Sequence, residues 1–282
     1  MTTIEIDKVV RIALKEDLGS GDVTTASLIA PSIKTAAVIV MREPAVVCGV
    51  DFIKRTFLQL DNTLKITFAV KDGDIVEAGT AIASVCGNAR GVLSGERVAL
   101  NFLGRLSGIA TVTRYFVDAV RGTRAVIMDT RKTAAGLRLL DRYAVGVGGG
   151  VNHRFDLGEM VLVKDNHRML CGGHGSLANV VKVLRAKTAK LIEFEVDTLP
   201  ELEDVLGNPP DIILLDNMPV EKLRKAVKMV GRLPVKLRPL LEASGGITIN
   251  NVREVALTGV DRISIGALTH SVRCVDVSLD LS

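Results

Sequence analysis

Residues 151–167 read VNHRFDLGEMVLVKDNH. His153 and Arg154 stand on one side of the apolar run 160–163, and Lys164, Asp165 and His167 stand on the other. Further apolar runs follow the same plan. AVIMDTRK (125–132) ends in Asp129, Arg131 and Lys132, and LIEFEVD (191–197) carries Glu193, Glu195 and Asp197. DIILLDN (211–217) ends in Asp216 and Asn217. LRPLLEASGG (237–246) ends in Glu242, Ser244, Gly245 and Gly246, and RISIGALT (262–269) holds Gly266 and Ala267. The charges cut into the apolar runs rather than lying in the loops outside them.

Sorted by sign, these residues describe an anion site beside an acidic one. Arg131, Lys132, Arg154 and Lys164 are cations, with His153 as a donor that can switch. Forked guanidinium groups match planar carboxylates and phosphates. Glu193 or Glu195, together with Asp216, suits Mg²⁺ held partly by a substrate's own phosphates. Glu193, Glu195 and Asp197 alternate with Ile192, Phe194 and Val196, so all three carboxylates share one face of a strand. Burying that face is costly without cations. The bland alternative is an edge strand with one solvated face. The small residues at 244–246 and 266–267 let backbone N–H groups approach an anion. GVGGGV (146–151) lacks the dinucleotide spacing, and His167, Cys171 and His174 fit no familiar zinc frame.

These groups need elements to aim them. From residue 94 onward, short apolar runs alternate with helical patterns, which indicates a parallel sheet. Six or seven such units suggest an α/β barrel, whose chemistry gathers at the C-terminal strand ends. An open doubly wound sheet is the alternative. SGERVALNFLGRLSGIATVTRYFVDAV (94–120) reads as a long helical stretch broken near Ser107-Gly108. The first third differs. A helix at 4–16 stopping at Gly19 precedes alternating segments around Pro44, 72–74 and Gly79, which read as antiparallel strands. DGDIVEAGT resembles the turn of biotinyl- and lipoyl-type sheets but has no lysine to carry the group, so it is read as structure.

Composition agrees with this organisation. The 282 residues carry a net charge of +4, 48% hydrophobic residues and 3% aromatics. That leaves no aromatic platform for single-stranded nucleic acid, and no basic stripe. The mild charge fits a local pocket for a small anion. MTTIEIDKVV has no basic and apolar signal pattern, and no apolar run is long enough to span a membrane. Four scattered cysteines suit a reducing compartment. The expectation is a cytoplasmic protein with neither nucleic-acid nor membrane partners.

The motifs ERVALNFLGRLSGIATVT, DTRKTAAGLR, YAVGVGGGVNHR, MVLVKDNH, EFEVD, ILLDN, LEASGGI and ISIGALTHS closely resemble the quinolinate phosphoribosyltransferase family. The likeness runs from ALKEDLGSGDVT (13–24) to the last helix, nearly the whole chain. It departs at Arg142, where the family has lysine, and at Ala134-Ala135. It implies an N-terminal α/β sandwich over 1–107, completed by 271–282, and an incomplete, seven-stranded α/β barrel over 108–270. It also implies a homodimer in which Arg97 reaches into the partner's site.

On that resemblance, quinolinate would be held by Arg97, Arg131, His153, Arg154 and Lys164. Phosphoribosyl pyrophosphate would bind at Lys132, Ser244, Gly245, Gly246, Gly266 and Ala267. Lys132, Glu195 and Asp216 would be the catalytic groups, with Glu195 and Asp216 on Mg²⁺ directly or through water. The products would be nicotinate mononucleotide, pyrophosphate and CO₂, a step of NAD synthesis. Two other readings stay in view: a Schiff-base lyase using Lys132 or Lys164, and a non-catalytic phosphosugar binder.

Overall fold

The computed structural model describes residues 1–170 and 175–281. Cys171 and His174 of the zinc reading lie outside the described residues. The chain divides into two compact units, 1–114 with 134–149 and 268–282, and 115–133 with 150–267.

In the first unit, α1 (Thr3–Leu18) starts at a capping box between Thr2 and Glu5, and Gly19 ends it at φ 52°. Its buried residues Ile6, Val10 and Leu14 recur every fourth position, on one helix face. Asp22 caps α2 (Val23–Leu28). The strands β1 (Lys34–Met41), β2 (Ala45–Val46), β3 (Lys65–Phe68), β4 (Ile75–Val76) and β5 (Ala81–Asn88) surround α3 (Val50–Leu60) in sequence. β12 (Val277–Leu281) comes back to pair with β1, giving an antiparallel sheet in the order β12-β1-β5-β3, beside a β2–β4 ribbon. Ile39, Met41, Ile53, Phe57, Ile82, Val85 and Leu103 form its core.

The long helix α4 (Ala89–Ala119) runs without the expected break at Ser107-Gly108. A Cβ on Gly108 would lie 2.2 Å from the Arg273 carbonyl oxygen, and one on Gly104 would lie 2.9 Å from that of Val275. These glycines admit the C-terminal segment against the helix instead of ending it. Ser107 is likewise used for packing, its hydroxyl bonded to the Cys48 backbone at 3.0 Å.

The C-terminal segment 268–282 groups with the first unit, and the compact units change over at 114/115 on α4. The segment 134–149, with α5 (Arg138–Val147), groups with the first unit. Two polar links account for this. Arg105 holds the buried Asp141 carboxylate at 2.9 Å, and Tyr143 donates to Asp72 at 2.6 Å. Asp72 in turn accepts the N–H groups of Gly49 and Val50, at the start of α3.

The second unit is an incomplete α/β barrel. Its strands are β6 (Val126–Met128), β7 (Val161–Val163), β8 (Ile192–Val196), β9 (Ile212–Asp216), β10 (Leu240–Ser244) and β11 (Arg262–Ser264). All pair in parallel, in the order β6-β11-β10-β9-β8-β7. The expected seventh strand is reduced to one parallel bridge, Val151 to Met128. Gly148, Gly149 and Gly150 precede it, and glycine weakens a strand. The helices are α6 (Asp165–Leu170), α7 (Leu177–Lys187), α8 (Leu199–Val205), α9 (Val220–Gly231) and α10 (Val252–Ala256). The short α11 (Ala267–His270) follows β11.

Candidate active site

The C-terminal strand ends of the barrel open into one cavity of about 650 Å³. Thr130, Arg131 and Lys132 reach it from the loop after β6, and Lys164 and Asp165 from the end of β7. Glu195 comes from β8, Asp216 and Asn217 from the end of β9, and Ser244, Gly245 and Gly246 from the end of β10. His153 and Arg154 enter from the segment after the Val151 bridge. Volumes of this order suit a small-molecule ligand.

The cationic side is built around two guanidinium groups. Burial lowers the Arg154 pKa, and the nearby Arg131 charge lowers it further. Arg154 Nη1 donates to the Met160 carbonyl at 3.0 Å, which anchors one edge of the guanidinium group. The buried Arg131 Nε has no hydrogen-bond partner among the described residues. Two close positive charges with donor capacity to spare favour an anion between them.

On the acidic side Glu195 and Asp216 line the cavity; Asp197, paired with Arg168, has an oxygen within 4.8 Å of theirs. Glu195 accepts from the Asp165 N–H at 3.3 Å and faces Lys164 Nζ at 3.3 Å. Hard carboxylate oxygens in this number fit Mg²⁺. β8 is buried along its whole length and lies between β7 and β9, so the edge-strand alternative does not hold. Glu193 and Glu195 share one face, as alternation requires, but at different depths. Glu195 lines the cavity, and Glu193 is fully buried away from it.

At the floor of the cavity His153 meets two carboxylates, Glu242, which also lines the cavity, and Glu193 beneath it. His153 Nε2 lies 3.1 Å from Glu193 and 3.4 Å from Glu242, both fully buried. Burial disfavours charge on His153, but the two carboxylates outweigh it and raise its pKa to about 10. The Arg154 N–H approaches Nδ1 at 2.8 Å and favours the neutral ring. Attraction to carboxylates in a dry interior is the stronger influence. Burial, then the nearby Glu242 charge, raises the Glu193 pKa. Asp129, also fully buried, accepts the His153 N–H at 2.6 Å and fixes the backbone there.

Most of the expected site residues meet here: Arg131, Lys132, His153, Arg154, Lys164, Glu195, Asp216, Ser244, Gly245 and Gly246. Gly266 and Ala267, just past β11, are not among the lining residues, and Ser264 lines the cavity from that strand. Arg97 is exposed on α4 in the first unit. Thr130 was not singled out from the sequence. Its place inside DTRK, directly before the arginine, was the available signal.

Two family models cover nearly the whole chain. The quinolinate phosphoribosyl transferase N-terminal domain matches residues 22–107 and its C-terminal domain residues 109–280. The chain belongs to the quinolinate phosphoribosyltransferase family. The nicotinate-nucleotide pyrophosphorylase [carboxylating] of Mycobacterium leprae is 45% identical over 280 residues, spanning 96% of this chain and 95% of the relative. A probable enzyme of the same name from Bacillus subtilis is 38% identical, over 100% of this chain and 95% of its own length. Among solved structures, the nicotinate-nucleotide pyrophosphorylase of Ehrlichia chaffeensis is 42% identical with a TM-score of 0.91, covering 98% of each chain. That of Francisella tularensis is 36% identical with a TM-score of 0.90, covering 100% of this chain and 98% of the other. Both domains of the quinolinate phosphoribosyltransferase family are present in this one chain.

Proposed function

We propose that this chain joins quinolinate to phosphoribosyl pyrophosphate and releases CO₂, forming nicotinate mononucleotide and pyrophosphate in NAD synthesis. The observation that carries the reading is the Arg131–Arg154 pair, two adjacent cations placed in one cavity with the Glu195 and Asp216 carboxylates. A planar dianion such as quinolinate satisfies the pair. A phosphorylated sugar with its cation satisfies the rest.

In this reading Arg131, Arg154 and Lys164 bind the two pyridine carboxylates, with the His153 charge beneath them. Arg97 adds a donor from the partner of a homodimer, and its exposure on α4 leaves it free to do so. Lys132 faces the departing pyrophosphate. Ser244, Gly245 and Gly246 cradle the 5′-phosphate, where φ values of 88° and 62° at the two glycines turn the backbone sharply. Gly266 and Ala267 extend that cradle.

Glu195 and Asp216 would hold Mg²⁺, directly or through water. When bound, the ion neutralises charge on the pyrophosphate. Ribosyl transfer passes through a cation-like sugar, which the neighbouring carboxylates favour. The pyridine nitrogen forms the new bond to the sugar carbon, and the pyrophosphate leaves with the old bond's electron pair. The ring nitrogen is then cationic. It stabilises the electron pair left at the neighbouring carbon when CO₂ departs, and that carbon takes a proton from water. Holding two highly charged reactants in line is the main task, and positioning can contribute roughly 7–11 kcal/mol.

A Schiff-base lyase needs a desolvated lysine, whereas Lys132 and Lys164 are both exposed. No helix among the described residues is long and apolar enough to cross a membrane. A cytoplasmic setting without membrane or nucleic-acid partners belongs to the same reading.

The test is one assay. The purified protein, quinolinate, phosphoribosyl pyrophosphate and Mg²⁺ should yield nicotinate mononucleotide and CO₂ together, and neither product after chelation of the metal. Turnover of nicotinate in place of quinolinate would overturn the dianion pocket. Ligand binding with no product would point to the phosphosugar binder.

A further inference from the structure

Asn217 is the one non-glycine residue with positive φ among the described residues, at 51°. It follows the last residue of β9 and lines the cavity. Three links run from it. Its side-chain Nδ2 donates to Asp216 Oδ2 at 2.7 Å. Its backbone N–H donates to the Ser244 carbonyl at 2.8 Å, one step beyond the Asp216–Ser244 pair of the sheet. Its Oδ1 rests over Gly245 so closely that a Cβ there would lie 2.2 Å away. The amide orientation follows from the partners, because a carboxylate can only accept.

We propose that Asn217 is a positioning residue that ties the Asp216 carboxylate and the 244–246 loop into one corner. That corner holds the two ends of phosphoribosyl pyrophosphate at a set separation. The inference rests on the assignment of Asp216 and the loop to that substrate. A left-handed turn alone would be met most cheaply by glycine. Asparagine is among the few other residues that enter this region readily, and it adds a donor. The donor occupies one oxygen of Asp216 and orients the other. The carboxamide lies on the bare Cα of Gly245, so a shift of the loop must move Asp216 as well. Asn217 is exposed, so its contacts bury little and serve stability weakly. Backbone held in a sparsely used region beside reactive groups is a recognised mark of pre-organisation.

Asn217→Gly keeps the turn and removes all side-chain links. Asn217→Asp keeps the shape and replaces the donor by a second carboxylate. Both should raise the KM for phosphoribosyl pyrophosphate and lower kcat, each by about tenfold, as sub-ångström misplacement does. The KM for quinolinate should stay within about twofold, and the variants should melt near the wild type. The rise in Tm that phosphoribosyl pyrophosphate with Mg²⁺ confers on the wild type, read without quinolinate, should shrink in both. Wild-type substrate dependence and Tm rise in either variant would overturn the proposal. So would equal losses for both substrates. Asp216→Ala separates the two levels. If it too behaves as wild type, the site assignment itself fails. If it loses turnover while the Asn217 variants do not, only the role of Asn217 fails.

Discussion

At the scale of the residue, the trio His153, Glu193 and Glu242 carries the largest electrostatic load. Two fully buried carboxyl groups share one imidazole, and crowding acids in a dry interior is costly. The His153 pKa of about 10 lies above its ordinary 6.5. The folded chain therefore binds this proton more tightly than the unfolded chain. The stability it contributes is fully present below pH 6.5 and is lost as pH rises through about 10. The raised Glu193 carboxyl acts in the same direction from lower pH. Glu242→Gln removes one of the competing carboxylates. It should stabilise the fold by about 1–3 kcal/mol near pH 8. It should also bring the alkaline decline to lower pH, since His153 keeps one partner. Urea unfolding from pH 6 to 10 reads both effects, and an unchanged curve would remove the electrostatic account. Sequence alternation placed Glu193 and Glu195 on one face but left open which one serves the site. Depth along a strand depends on where the strand's neighbours end, which a single run does not encode.

At the scale of the element, α4 shows how one residue type can mean opposite things. The Ser107-Gly108 pair reads as a helix break, yet the helix is continuous. Gly108 is there because the Arg273 carbonyl oxygen would sit 2.2 Å from a Cβ. Gly146 in α5 has nothing within 4 Å of that position. Alanine gains about 1 kcal/mol over glycine inside a helix. Gly146→Ala should therefore stabilise by roughly 0.5–1 kcal/mol, and Gly108→Ala should destabilise by several times that, because the clash is with backbone. Denaturant midpoints of the two variants give the comparison. The same sign for both would refute the packing role of Gly108. Strands were easier to read than glycines. Parallel strands buried on both faces are near-continuous apolar runs, and all six observed strands of the barrel fall inside such runs. The seventh was lost to the glycines before Val151.

At the scale of the whole molecule, the proposed shared site has a direct consequence. Arg97→Ala and Lys132→Ala should each be nearly inactive alone. Mixed and allowed to exchange subunits, they should recover about a quarter of wild-type activity, because half the dimers are mixed and each has one intact site. No recovery after verified exchange would place Arg97 outside the partner's site. The segment 134–149 carries a related lesson. It sits between barrel strands in sequence but groups with the first unit through Arg105–Asp141 and Tyr143–Asp72. By itself the sequence determined the rhythm of strands, the charges at their ends and the family, since alternation, composition and motif spacing are local. The tertiary structure alone decided which carboxylate reaches the cavity and which lies beneath it, which carboxyl groups flank His153, why Gly108 is glycine, and that Asn217 turns left-handed over Gly245. Each of those depends on the distance between groups far apart in the chain, and distance is set only when the strands align and close.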